Sequence, residues 1–453
     1  MRIFGTDGIR AKTYEFPLEL RLLRALGRAF EIVLPKSDSL GTILFARDTR
    51  ASGKEIFKAL SSGFAKRFRV IDLGVLPTPS LGYLVNSWNA ILGCVISASH
   101  NPPQFNGVKF FDQRGQKIPE AWEQKMEHWL LEDLKSSKGS GVSGFNAKAV
   151  VSKSVEAHGQ YQNFLTSTVA TDVDFKGLKV VVDCANGAAY RLLPELLRRL
   201  GAQVISLGIK PSGSNINHLC GAMDPRALAK AVVASRADVG FALDGDGDRL
   251  VVVTEKGAVV PGESVMATVA LHRKEARQTG SGVLVTTTMS NLALKRYLEK
   301  RGIEVFETPV GDRWVLEKLL ETGGGFGGEN SGHFIWPRIL KSADGSLGAL
   351  TMLELLARRN MRASEVFVDL PFLPQTTLQV EVDWKPDLRT LPVFQKKLSE
   401  VQKALDNQGR VFVRYSGTEP ALRILVEGNF AKTKIRAMAE SLKQAYQESL
   451  KFV

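Results

Sequence analysis

Asp244, Asp246 and Asp248 recur at every second position in ALDGDGDR, separated by Gly245 and Gly247. In an extended chain alternate side chains point the same way, and glycines let the segment curl, so the three carboxylates can face one point. Hard oxygen donors in that number suit a divalent cation. A calcium loop of the EF-hand type is the competing pattern, because Glu255 stands at its twelfth position. It fails because Arg249 fills the sixth position, where such a loop needs glycine, and because the flanks VGFAL and LVVVT read as strands.

Three further segments carry polar groups in patterns that suit chemistry. In SASHNP, Ser99 and His100 follow the apolar run ILGCVI, and Pro102 and Pro103 stop any regular continuation, with Lys109 a short distance on. A serine on such a constrained loop can carry a covalent group. Hydrolase chemistry fits poorly, since no GxSxG elbow is present and Ser-His adjacency does not make a triad. The glycine-dense GGGFGGENSGHF (323–334) bears Glu329, Asn330, Ser331 and His333. Glu329 and His333 resemble half a metal site, but no second histidine stands near and the glycines argue against a helix, so recognition of hydroxyl groups suits the loop better. In VRYSGTEPALR (413–423), Arg414, Ser416, Gly417, Thr418 and Arg423 combine guanidinium forks, hydroxyls and a glycine, a composition matched to phosphate. Each of these segments alone also fits an ordinary polar turn.

These residues need elements to position them. The segments 41–74, 178–208 and 282–311 each read as strand, turn, amphipathic helix and second strand, so three similar α/β domains with mixed or mainly parallel sheets are predicted. LKSSKGSGVSG (134–144) reads as a connection. The last 80 or so residues alternate differently and end in a long helix from about Ala431, which predicts an α+β domain. The expected domains are 1–148 with the serine loop, 149–249 with the acidic loop, 250–366 with the glycine-dense loop, and 367–453 with the arginines.

Composition narrows the partners. Lys and Arg number 60 against 47 Asp and Glu, a net charge of +13 in 453 residues. The bases are scattered, with short clusters such as KRFR and HRKEAR and no recognisable nucleic-acid module, so small anions are expected rather than nucleic acid. No apolar run approaches the roughly 18 residues of a membrane span, and MRIFGTDGIR offers no apolar leader, so a cytoplasmic protein without membrane partners is expected. Cys94, Cys184 and Cys220 form no CxxC pair and read as reduced packing residues.

Together and in this order, SASHNP with NGVKFF, DGDGDR, GENSGH and RYSGTEP resemble the phosphohexomutase superfamily across essentially the whole chain, and FGTDGIR looks like its phosphoglucosamine mutase branch. The resemblance implies four domains in a heart-shaped arrangement around a central cleft. It implies a phosphorylated Ser99, one Mg2+ per active site held by Asp244, Asp246, Asp248 and Ser99, and a glucosamine or glucose 1,6-bisphosphate as intermediate or activator. Lys109 and Arg10 are implied in proton transfer and electrostatic help, with Arg249 and His100 supporting the phosphoserine. The GENSGH loop would bind the sugar and the RYSGTEP loop its phosphate. The expected reaction interconverts glucosamine 6-phosphate and glucosamine 1-phosphate for amino-sugar and peptidoglycan precursor synthesis, with a homodimer as the expected assembly. Phosphoglucomutase or phosphomannomutase activity is the alternative within the superfamily, and a non-catalytic calcium- or nucleic-acid-binding protein the alternative outside it. Asn330 stands where the branch commonly has Gln, PSG (211–213) replaces PDG, and Tyr415 replaces a frequent lysine, all of which bear on sugar choice.

Overall fold

The structure, a computed structural model, describes residues 3–5, 7–34, 41–64, 68–135, 150–415 and 421–452. They form two compact units, one of residues 1–287 and 306–368, the other of 288–305 and 369–453.

The first unit contains the predicted α/β layers. Its first sheet has strands β1 (Ile9–Lys12), β2 (Gly41–Arg47), β3 (Phe68–Val75), β4 (Leu92–Ile96), β5 (Phe105–Asp112) and β6 (Val150–Ser152), in the order β1-β5-β4-β2-β3-β6. Strands β2, β3, β4 and β6 are parallel, whereas β5 returns antiparallel to β4 and β1 is antiparallel to β5. Every residue of β4, LGCVI, is buried, as a strand covered on both faces requires. One cover is the helix Leu20–Val33, whose Leu22, Leu23, Leu26, Ala29 and Phe30 recur at helical spacing and are buried.

A second sheet is built from β7 (Lys179–Asp183), β8 (Gln203–Leu207), β9 (Val239–Leu243), β10 (Leu250–Thr254) and β11 (Val259–Val260), ordered β11-β10-β9-β7-β8. Strands β7, β8 and β9 are parallel; β10 pairs antiparallel with β9. In the third layer, Val283–Thr287 runs parallel to Gly327–Gly328, which pairs antiparallel with Phe334–Ile335.

The second unit is the expected α+β fold: Ala421–Gly428 lies between Gln375–Glu381 and Gly409–Tyr415 in an antiparallel sheet. Helices Pro392–Leu405 and Lys432–Ser449 supply Phe394, Leu442 and Tyr446 to its core.

Two expected boundaries need correction. A break at 148/149 would strip β6 from β3, and Ala157 of the next helix also packs into the first sheet's core. A break at 249/250 would cut the β9–β10 hairpin, in which Leu243 faces Leu250 and Val239 faces Thr254. An acidic turn between two apolar strands closes a hairpin; it does not link domains.

Candidate active site

The β4–β5 hairpin explains the spacing of serine and lysine. Val95 pairs with Lys109 and Ile96 with Val108, so the chain that leaves β4 through Ser97, Ala98 and Ser99 returns with Lys109 beside its point of departure. Ser99 has a φ of +52°, a left-handed conformation that a residue with a Cβ adopts at a cost of about 1–2 kcal/mol. Its hydroxyl donates to Asp244 Oδ2 at 2.6 Å, and His100 Nδ1 lies 3.4 Å from the same oxygen.

The three aspartates sit in the β9–β10 turn. Gly245 is needed there because a Cβ would come 2.5 Å from the Ser99 carbonyl oxygen. Behind the turn, Asp344 caps helix Gly345–Arg359 by accepting from the amides of Ser346 and Leu347, and the amide of Gly345 donates to the Gly247 carbonyl at 3.0 Å. The three acids are buried, each offering an oxygen within 4.8 Å of the others. Asp246 Oδ2 accepts from Thr78 Oγ1 at 2.7 Å and Lys109 Nζ at 2.9 Å, while its buried Oδ1 has no hydrogen-bond partner among the described residues. Burial, then Asp248 and Asp246, push the Asp244 carboxyl up to about 8. A buried orphan oxygen in a hard, mutually repelling carboxylate set fits a small divalent cation such as Mg2+.

Fixed positive charge already surrounds the acids. Lys109, 2 % exposed, also reaches Asp248 at 3.2 Å and Asp7 at 3.0 Å. Burial opposes its charge, but Asp246, Asp7 and Asp248 hold its ammonium well above the usual lysine range. Arg10, on β1, pairs with Asp7, and Lys117 bridges Asp7 and Asp312. His100, by contrast, is pushed down to about 3 by burial, Arg249 and Arg10, which leaves it neutral near pH 7.

The glycine-dense loop is a hairpin turn, so residues four apart meet without a helix. His333 Nδ1 lies 2.6 Å from Glu329 Oε2, and its Nε2 3.2 Å from Asp248 Oδ1. Burial opposes protonation, yet Asp248 and Glu329 raise His333 to about 10, so its imidazolium donates from both nitrogens to the carboxylates. Arg249 Nε is 3.1 Å from His333 Nε2 as a second cation rather than a donor to it. Asn330 and Ser331 are exposed at the turn. Hence Ser99, His100, Arg10, Lys109, the three aspartates, Arg249, Glu329 and His333 form one polar cluster. A cavity of about 290 Å³ opens beside Lys109 and Asp248, walled by Lys117, Asp312 and Trp314, and Ser99 lies outside that wall.

In the second unit, Arg414 and Arg423 face each other across adjacent strands. Like charges directly opposite repel. Burial and then Arg423 lower the affinity of Arg414 for its proton, a cost that an anion would offset. Ser416, Gly417 and Thr418 lie outside the described residues. Sequence reasoning passed over Asp7, Thr78, Lys117, Asp48, Arg50 and Asn217. Of these, Asp7 alone stood in a segment already singled out, FGTDGIR, where it precedes Arg10 by three residues.

Four family models match the chain in order. They are phosphoglucomutase/phosphomannomutase alpha/beta/alpha domain I over residues 1–135, domain II over 159–257, domain III over 261–372, and the C-terminal domain over 378–445. A phosphoglucosamine mutase of Myxococcus xanthus is 40% identical, with 99% of this chain and 97% of that protein covered. One from Geobacter sp. is 39% identical over 99% of this chain and 98% of its own length. In fold, the chain is similar to a phosphoglucomutase/phosphomannomutase family protein of Burkholderia thailandensis, with a TM-score of 0.78, 24% identity, and 99% and 97% of the two chains covered.

Proposed function

The chain belongs to the phosphoglucomutase/phosphomannomutase family, and on that premise we propose that it is an isomerase that interconverts glucosamine 6-phosphate and glucosamine 1-phosphate through a phosphorylated Ser99. The observation that carries the reading is the Ser99 hydroxyl, 2.6 Å from a carboxylate oxygen of a buried three-acid cluster that Lys109 also enters. Phosphoryl transfer asks mainly for in-line positioning and charge neutralisation, and this cluster supports both. The choice of an amino sugar is supported by relatives named phosphoglucosamine mutase at about 40% identity over the full length.

In the forward direction a sugar hydroxyl forms a bond to phosphorus as the Ser99 Oγ–P bond breaks, so that the hydroxyl trades its hydrogen for the phosphoryl group and Ser99 regains a hydroxyl. The 1,6-bisphosphate then turns, and its other phosphate returns to Ser99. Asp244, Asp246, Asp248 and the Ser99 phosphate would hold one Mg2+. Bound there, the ion would neutralise charge on the transferring group. Lys109, paired with three carboxylates, supplies fixed positive charge and does not serve as a base; Arg10 adds to that charge. Neutral His100 can hydrogen-bond near Ser99, and Arg249 supports the phosphoserine. Glu329, Asn330, Ser331 and His333 recognise sugar hydroxyls, while Arg414, Ser416, Gly417, Thr418 and Arg423 grip the phosphate that is not reacting. Three free cysteines fit a reducing, cytoplasmic setting, and a homodimer is the assembly proposed.

Ser99→Ala tests the reaction class. The expected result is a loss of at least about a hundredfold in kcat with the fold retained, together with loss of a phosphate located at Ser99 by intact and peptide mass measurement. Full activity in that variant would remove Ser99 from the chemistry. Comparing kcat/KM for glucosamine, glucose and mannose phosphates tests the sugar, and a preference for glucose or mannose would move the assignment within the family.

A further inference from the structure

The left-handed backbone of Ser99 needs a cause, and it lies in a buried arginine that touches no reacting atom. Arg50 is 3% exposed, and of the five donors on its guanidinium and Nε–H, four go to carbonyls of this loop and the fifth to Asp48. Nε donates to Asp48 Oδ2 at 2.8 Å; Nη1 donates to the carbonyls of Pro102 at 2.6 Å and Phe105 at 2.9 Å; Nη2 donates to those of Ser99 at 3.0 Å and Asn101 at 2.8 Å. Asp48 completes the frame from the other side. Its Oδ1 accepts from the Arg50 amide at 2.9 Å, its Oδ2 accepts from Ser97 Oγ at 2.5 Å, and Ser97 Oγ accepts from the Ser99 amide at 2.9 Å. Both backbone polar groups of Ser99 therefore end on one buried ion pair.

We infer that Arg50, through Asp48 and Ser97, is the positioning residue that curls residues 97–105 so that Ser99 Oγ faces the three aspartates. The inference rests on the proposed role of Ser99 as phosphoryl carrier. Local bonds from the Asn101 amide to the Ala98 carbonyl and from the Phe105 amide to the Pro102 carbonyl, 3.1 Å each, shape the two turns of residues 97–105, and the planar fork ties four carbonyls from both turns to one point. A shift of about 1 Å at a reacting oxygen costs on the order of a hundredfold in rate. Lysine cannot reproduce the fork, since three donors on one nitrogen cannot reach five separated acceptors.

The test is Arg50→Lys, assayed beside Ser99→Ala. If Arg50 positions the carrier, kcat per phosphorylated molecule falls by about tenfold to a hundredfold while KM for the hexose phosphate stays within about twofold, because substrate contacts are untouched. A merely structural role would lower the folded fraction without changing turnover per phosphorylated, folded enzyme. Turnover within twofold of the parent, or a fall in kcat matched by a rise in KM, would overturn the inference. If Arg50→Lys does not accumulate as folded protein, Ser97→Ala carries the same test: a threefold to tenfold loss in kcat at constant KM supports the frame, and unchanged kcat overturns it. Full activity in Ser99→Ala would sink the carrier reading itself, and the inference with it, an outcome distinct from unaltered Arg50→Lys turnover beside an inactive Ser99→Ala.

Discussion

Asp246 divides its two oxygens between different tasks: one accepts from Thr78 and Lys109, and the other is buried without a hydrogen-bond partner among the described residues. Replacing that carboxylate with an amide keeps the shape and removes a charge. Asp246→Asn is expected to weaken Mg2+ binding by at least about tenfold in a calorimetric titration, with a corresponding rise in the Mg2+ needed for half-maximal rate. An unchanged titration would assign the aspartate to its ion pair with Lys109 alone. Lys109→Met removes the fixed positive charge at the centre of the acids. Its expected signature is a kcat lowered by about a hundredfold, measured at saturating substrate and metal.

Two hairpins do most of the positioning, and their contact is tight enough to test with one methyl group. Gly245→Ala would place a Cβ 2.5 Å from the Ser99 carbonyl and 2.8 Å from Asn217 Nδ2. We expect a loss of about 1–3 kcal/mol in thermal or denaturant unfolding, with activity falling further. Gly159→Ala is the control, since beyond the adjoining residues and the backbone of its own helix, Ser154–Ser167, nothing lies within 4 Å of the added methyl, and it should stabilise by about 0.5–1 kcal/mol. At this scale the sequence was readable where pattern is local. The continuous apolar run of β4, the strands around DGDGDR and the glycine-dense turn all follow from short-range spacing. What could not be read joins distant segments: Asp7 with Lys117, Thr78 with Asp246, Arg50 with the Ser99 loop, and Asn217 with the same loop. Spacing along a chain carries no record of such pairings. The boundary expected at 249/250 failed for the related reason that an acidic turn and a linker have similar compositions, and only the pairing of β9 with β10 separates them.

Across the whole molecule, the charge of +13 gives anionic substrates a favourable field. As the Debye length shortens to about 8 Å near physiological salt, kcat/KM should fall several-fold between low and moderate ionic strength while kcat holds. A salt-independent kcat/KM would confine the useful charge to the site. Arg414→Ala and Arg423→Ala, in the second unit, should raise KM for the hexose phosphate more than they lower kcat. Within the first unit, one oxygen has a larger consequence. The carbonyl of Ser99 accepts from Arg50 of the first sheet's layer and, at 2.8 Å, from Asn217 beyond the second sheet's β8. Two layers therefore share a single fastening point, and lesions at positions 50 and 217 should compound non-additively, so a double-mutant cycle would read the mechanical linkage between the layers in units of coupling free energy.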